Sequence, residues 1–147
     1  MTKTEMTGEE RIMRALQLKE ADRVPHFEWY IDKKVIEALS PGSNYERFCY
    51  EFDNDAICVD CDYIKKNIEG GLIQDEWGMI QKNTGESHTF PVDGPIRTLE
   101  DIQNYVPPDP KKPGRYNSVE RALREHGGKK AVVLHLNDVF SIPSRMM

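Results

Sequence analysis

Asp55-Ala56-Ile57-Cys58-Val59-Asp60 is a short apolar run with a carboxylate at each end. Such a run suits a strand buried on both faces, as in a parallel sheet. Ala131-Val132-Val133-Leu134-His135-Leu136 has the same character. Between the two lie a hairpin-like stretch and two short helical patterns, so the runs pair as parallel strands joined by crossovers. Upstream, Val24 to Tyr30, rich in aromatics and bounded by charge, predicts a further strand ahead of them. Three parallel strands cannot cover their own faces. The fold class expected is α/β, the first part of a (β/α)8 barrel with N-terminal helices and an inserted hairpin.

The helices follow from caps and periodicity. Thr7-Gly8-Glu9-Glu10 has capping-box spacing, with Ile12, Ala15 and Leu16 as the apolar stripe. Asp32 is placed to cap a helix with Val35, Ile36 and Leu39 inward, stopped by Ser40-Pro41-Gly42. Ser43-x-x-Glu46 reads as another capping box before Tyr45, Phe48, Cys49 and Phe52. Leu72 to Pro91 predicts a hairpin turning at Asn83-Thr84-Gly85. Thr98 to Asp101 starts a short helix with Leu99 and Ile102 inward. Ser118 or Asn117 caps a helix carrying Val119, Ala122 and Leu123 and ended by Gly127-Gly128. Phe140 to Met147 looks like the opening of one more helix.

Composition narrows the function classes. The 147 residues carry a net charge of −5, with 38% hydrophobic and 31% charged residues. The isoelectric point near 5.4 and mean hydropathy of −0.67 argue against a dedicated nucleic-acid or anionic-membrane binder. No apolar run approaches the ~18–20 residues that span a bilayer, and Met1 to Arg11 lacks the apolar stretch of a signal peptide. A cytoplasmic protein is expected. Cys49, Cys58 and Cys61 are expected as reduced thiols. Cys58-x-x-Cys61 is formally a metal or redox motif, but residues three apart on a strand point to opposite faces. Buried small side chains are therefore the expected reading.

Chemistry in a parallel barrel gathers where strands end. Asp60 and Asp62 follow the second expected strand, two apart and on one face; as close carboxylates they would titrate together and serve acid–base work or cation binding. A solvated strand end or a helix cap would use the same residues. His135 and Asn137 share a face at the end of the third. His135 would bind a metal or the lower face of a corrinoid, shuttle a proton, or sit hydrogen-bonded in the core. Glu28, at the end of the first expected strand, shares a face with His26 and Tyr30 and would reach the pocket mouth. His88 and His126 are expected to be exposed and are assigned no role.

Glu10-Arg11-Ile12-Met13-Arg14-Ala15-Leu16 followed by Asp22-Arg23-Val24-Pro25 resembles the opening of the uroporphyrinogen decarboxylase superfamily. Asp75-Glu76-Trp77-Gly78, Gly94-Pro95-Ile96, and Pro108-Asp109-Pro110 with Gly114-Arg115 resemble its branch of corrinoid-linked methyltransferases and O-demethylases. The resemblance covers essentially the whole chain. It implies a barrel of more than twice this length, of which residues 1–147 would be an incomplete portion lacking the C-terminal half. It also implies that Asp62 matches the aspartate that contacts the pyrrole N–H groups in the decarboxylases. A corrinoid (cobamide) and zinc would serve the full-length form, with the zinc ligands beyond this chain, which alone would bind no cofactor. Partners would be a corrinoid protein or a tetrapyrrole-type ligand, with self-association through an unpaired barrel edge.

Two departures separate the chain from true uroporphyrinogen decarboxylases. The arginine-rich segment after their first strand is replaced by Phe27-Glu28-Trp29-Tyr30-Ile31-Asp32, and a family tyrosine falls near Arg145. A substrate with eight carboxylates needs cationic partners, so methyl transfer or O-demethylation ranks above tetrapyrrole decarboxylation. A non-catalytic, truncated partner-binding remnant is the reading from a different class. The chain alone is expected to be inactive.

Overall fold

The computed structural model describes residues 5–84 and 89–147. The chain is mixed α/β and divides into two compact units, residues 1–61 with 116–135, and residues 62–115 with 136–147.

The first unit is built on two parallel strands, β1 (Ala56–Asp60) and β6 (Ala131–His135), in the register Ala56↔Ala131 through Asp60↔His135. Both apolar runs thus form the expected parallel pair. Helices α1 (Gly8–Leu16) and α5 (Asn117–His126) contact both strands, and α3 (Tyr45–Glu51) packs on β1 and on α2 (Lys33–Leu39). Ile36, Phe48, Cys49, Ala56, Ile57, Cys58, Cys61, Ala122 and Ala131 form its buried apolar set. Thr7 and Glu10 make the expected capping box, and Asp32 caps α2 through the Lys34 N–H at 2.8 Å.

The residues of the Arg11 and Asp22-Arg23 motifs meet at the N-terminal end of β1. Asp55, whose side chain is fully buried, accepts from Arg11 Nη1 (3.0 Å), Arg23 Nη1 and Nη2 (2.7 and 2.9 Å) and the His26 N–H (2.8 Å). Arg11, also buried, donates from Nε and Nη2 to Asp22 at 2.7 and 3.0 Å. Burial would push the Asp55 carboxyl up, but the His26 N–H and the two guanidiniums outweigh it and hold it below its ordinary value. Asp22 is depressed in the same way, chiefly by Arg11. Gly8 lies so close to this strand that a Cβ there would stand 2.4 Å from the Asp55 carbonyl oxygen. These motif residues lock α1 to the start of β1.

Several sequence expectations do not hold. Val24 to Tyr30 forms no ladder; one backbone bond (Asp55 N–H to the His26 carbonyl, 2.7 Å) ties it to the start of β1. The cap of α3 is Asn44, whose side chain accepts from the Arg47 N–H at 2.8 Å, while Ser43 hydrogen-bonds Ser40. α5 starts at Asn117 with no side-chain cap. Leu16, Val35, Leu39, Phe52 and Leu123, expected on inward faces, are exposed, whereas His126 is buried.

The second unit carries an antiparallel sheet in the order β2-β3-β4-β5: Lys65–Ile68, Leu72–Asp75, Ile80–Lys82 and Phe90–Asp93. The expected hairpin is its second half plus β3. Part of the expected turn, with His88, lies outside the described residues. β2 had no signal, because Lys65-Lys66-Asn67 is polar and exposed rather than alternating. Asp75, raised by burial, makes the β3–β4 turn by accepting from the Trp77 and Met79 N–H groups, both at 3.0 Å. Gly78 supplies the positive φ of 86° that the turn needs.

Met79, Ile96 and Met146 are the core of this unit, flanked by Trp77, Tyr105 and Ile142. The expected terminal helix is α6 (Ser141–Met146). It packs so tightly that a Cβ on Gly94 would meet the Met146 carbonyl oxygen at 2.1 Å. Arg115 and Glu76 form a buried ion pair. Helix α4 (Leu99–Asn104) has the capping box Thr98–Asp101, but Leu99 and Ile102 are exposed, against expectation. No helix among the described residues is long and apolar enough to cross a membrane.

Candidate functional site

The β1–β6 register decides where the polar strand-end residues fall. Asp60 and His135 are direct neighbours in the ladder at the C-terminal ends of the two strands. Neighbouring residues in a ladder share a sheet face, and His135 Nδ1 donates to Asp60 Oδ1 at 2.8 Å. A carboxylate only accepts, so in this pair Nδ1 carries a proton, and Nε2 is the ring nitrogen left for other chemistry. The Trp29 ring lies 4.2 Å from the imidazole, centroid to centroid, tilted by 39°.

Beside this pair is a cleft of about 540 Å³, lined by Trp29, Tyr30 and Ile31 on one side and by Lys33, Ile36, Tyr45, Cys58 and Asp60 among others. That volume falls within the ~300–1,000 Å³ of small-molecule sites. Tyr45 ties its walls together: its hydroxyl donates to the Glu28 carbonyl at 2.8 Å and accepts from the Cys58 N–H at 3.1 Å. Burial pushes the Tyr45 phenol far above its ordinary value, so it stays neutral.

The structure brings together Asp60 and His135 of the expected site residues. Asp60 finds its partner in the histidine. Glu28 is exposed and contributes its backbone carbonyl. Asp62 belongs to the second unit, where its N–H donates to the Arg115 carbonyl at 2.9 Å and its side chain is exposed. Asn137, also of the second unit, is exposed next to Asp138, which accepts from the Phe140 and Ser141 N–H groups at the start of α6.

Sequence reasoning missed Trp29 and Tyr45 as site residues. With Val24–Tyr30 read as a strand, Trp29 fell on the face opposite Glu28, and Tyr45 was absorbed into the stripe of α3. The signal available for Trp29 was the cluster Phe27-x-Trp29-Tyr30 directly before a helix cap. The thiols of Cys49, Cys58 and Cys61 are buried and free, and burial pushes those of Cys49 and Cys58 up. Cys58, the thiol that lines the cleft, is thus a poor thiolate ligand for zinc.

No family model, curated protein or solved structure matches this chain.

Proposed function

We propose that residues 1–147 form the substrate side of a uroporphyrinogen-decarboxylase-like barrel that removes a methyl group from a small methylated aromatic compound and passes it to a corrinoid. The observation that carries this reading is the Asp60–His135 pair at the C-terminal ends of adjacent parallel strands, beside an aromatic-walled cleft. On the same reading, the edge of β6 not paired with β1 is where a further parallel strand adds.

The residues of the cleft do not fit a whole corrinoid. A macrocycle with its side chains exceeds about 540 Å³, and the cleft is better matched by one substituted aromatic ring. The corrinoid would therefore be carried by a partner protein. Trp29 and Tyr30 would flank the substrate ring and keep water from it. His135, held through Nδ1 by Asp60, would carry a proton on Nε2 to the phenolic oxygen that the departing methyl group leaves behind. Asp60 fixes the ring and balances the charge when the imidazole is protonated, the role a carboxylate plays toward histidine in many sites.

Tetrapyrrole decarboxylation ranks lower, because among the described residues Lys33 is the cation lining the cleft and no arginine does. The test supplies the full-length form that this reading implies with a methoxybenzoate and a reduced corrinoid protein and measures release of the hydroxybenzoate. Product that disappears in Asp60→Ala and His135→Ala supports the reading. Turnover of uroporphyrinogen in place of the methoxybenzoate would overturn it.

A further inference from the structure

His126, expected at the surface, is buried at the end of α5, and its Nε2 has no hydrogen-bond partner. A buried ring nitrogen without a partner is costly unless something else satisfies it. Its neighbours are two carboxylates: Glu46 Oε2 of α3 at 3.5 Å and Glu125 Oε2 at 3.9 Å. The three ligand atoms lie within 4.8 Å of one another. On its other side, His126 Nδ1 is 3.2 Å from the Tyr50 hydroxyl. When Nδ1 donates to that hydroxyl, Nε2 turns a lone pair toward two negative oxygens. That arrangement needs a cation beside the two carboxylates, a place the Arg121 guanidinium now takes. A histidine held through its second nitrogen in this way is the usual support for a metal-ligating imidazole.

We propose that Glu46, Glu125 and His126 bind a zinc-class divalent cation that bridges α3 and α5. One imidazole nitrogen and two carboxylate oxygens suit zinc or a neighbouring first-row ion, whereas magnesium and calcium prefer all-oxygen shells. Zinc–ligand bonds of ~2.0–2.2 Å set tetrahedral ligand atoms about 3.4 Å apart, so atoms now within 4.8 Å of one another close in as the ion enters. Two carboxylates and a neutral imidazole leave a charge that a divalent ion cancels.

Arg121 is the competitor. Its guanidinium donates to Glu46 at 2.7 and 3.3 Å and to Glu125 at 2.8 Å, and holds the Glu46 carboxyl below its ordinary value. The Arg121 side chain is 44% exposed, so it has room to swing into solvent as the ion enters. Metal and arginine thus exchange at the same carboxylates. The site is independent of the methyl-transfer reading.

Titrating the metal-stripped full chain with zinc chloride in a calorimeter tests this. The wild type should take one zinc, His126→Ala and Glu46→Gln should bind at least ~10-fold more weakly, and His135→Ala should bind as the wild type. Arg121→Ala removes no ligand and should bind more tightly than the wild type, which keeps the test decisive if His126→Ala fails to fold by circular dichroism. A wild type that takes no zinc, or equal binding in His126→Ala, or weaker binding in Arg121→Ala would overturn the proposal.

Discussion

Replacing Asp55 by asparagine should destabilise the chain by about 3 kcal/mol, at the low end of the ~3–5 kcal/mol for breaking a buried ion pair. The magnitude follows from what each partner keeps. The asparagine side chain could still accept one bond, but its amide N–H₂ would face guanidiniums that already donate. Arg11, with a side chain 4% exposed, retains Asp22 at 2.7 and 3.0 Å. Arg23, 31% exposed, retains Asp53 at 2.6 Å and can reach water. Neither cation is stranded, which is why the larger figures do not apply. Against a total stability of ~5–15 kcal/mol the loss is large, and at this chain length it lowers Tm by roughly 6–12 °C. Urea denaturation followed by tryptophan fluorescence measures it, and an unchanged m-value would place the effect on stability alone. A loss under about 1 kcal/mol would refute the claim that the Arg11 and Asp22-Arg23 motifs serve to anchor β1.

The same network sets an acid limb. Asp22 and Asp55 have folded-state values below the ordinary carboxylate range, so in acid the unfolded chain binds protons first and stability rises with pH. Their contribution should be complete above about pH 5 and fade as the pH drops below about 4. Asp75, raised by burial, has the opposite sign and softens that slope; Tm against pH, compared with Asp55→Asn, should show a shallower acid limb in the variant. Gly8→Ala should cost ~1–3 kcal/mol through the clash with the Asp55 carbonyl, and an unaltered denaturation midpoint would show that α1 can shift away. Asp60→Ala should release the proton of His135 from Nδ1, so nitrogen NMR of the wild type should show the Nδ1–H tautomer and the variant a mixture. An identical tautomer in both would remove Asp60 from its positioning role.

The two strands that carry the candidate site were legible because Asp55–Asp60 and Ala131–Leu136 are apolar runs closed by charge. Their register was not, and the register is what sets Asp60 against His135. Period-two reasoning paired Asp60 with Asp62 along one strand, whereas the hydrogen bond runs across to the neighbouring strand. Val24–Tyr30 has strand-like composition, yet Pro25 lacks an N–H for a ladder and the His26 N–H is spent on the Asp55 side chain. Buried Asp55 and His126 could not be read from the sequence, because both are polar and their burial depends on partners 32 and 76 positions away, Arg23 and Tyr50. The motif residues themselves were legible but their work was not. Arg11, Arg23, Asp75, Gly94 and Arg115 hold elements together through buried ion pairs, a turn and a close backbone approach.

If the cleft beside Asp60 and His135 receives a small aromatic molecule, titrating nitrogen-15-labelled chain with 3-methoxybenzoate should reveal it at the two indole N–H resonances. A saturable shift of the Trp29 indole and of the Cys58 amide is expected, with the Trp77 indole unmoved, and the shift should be lost in Tyr45→Phe combined with Asp60→Ala. Resonances of Trp29 and Cys58 that stay in place at saturating methoxybenzoate would contradict the proposed role of the cleft.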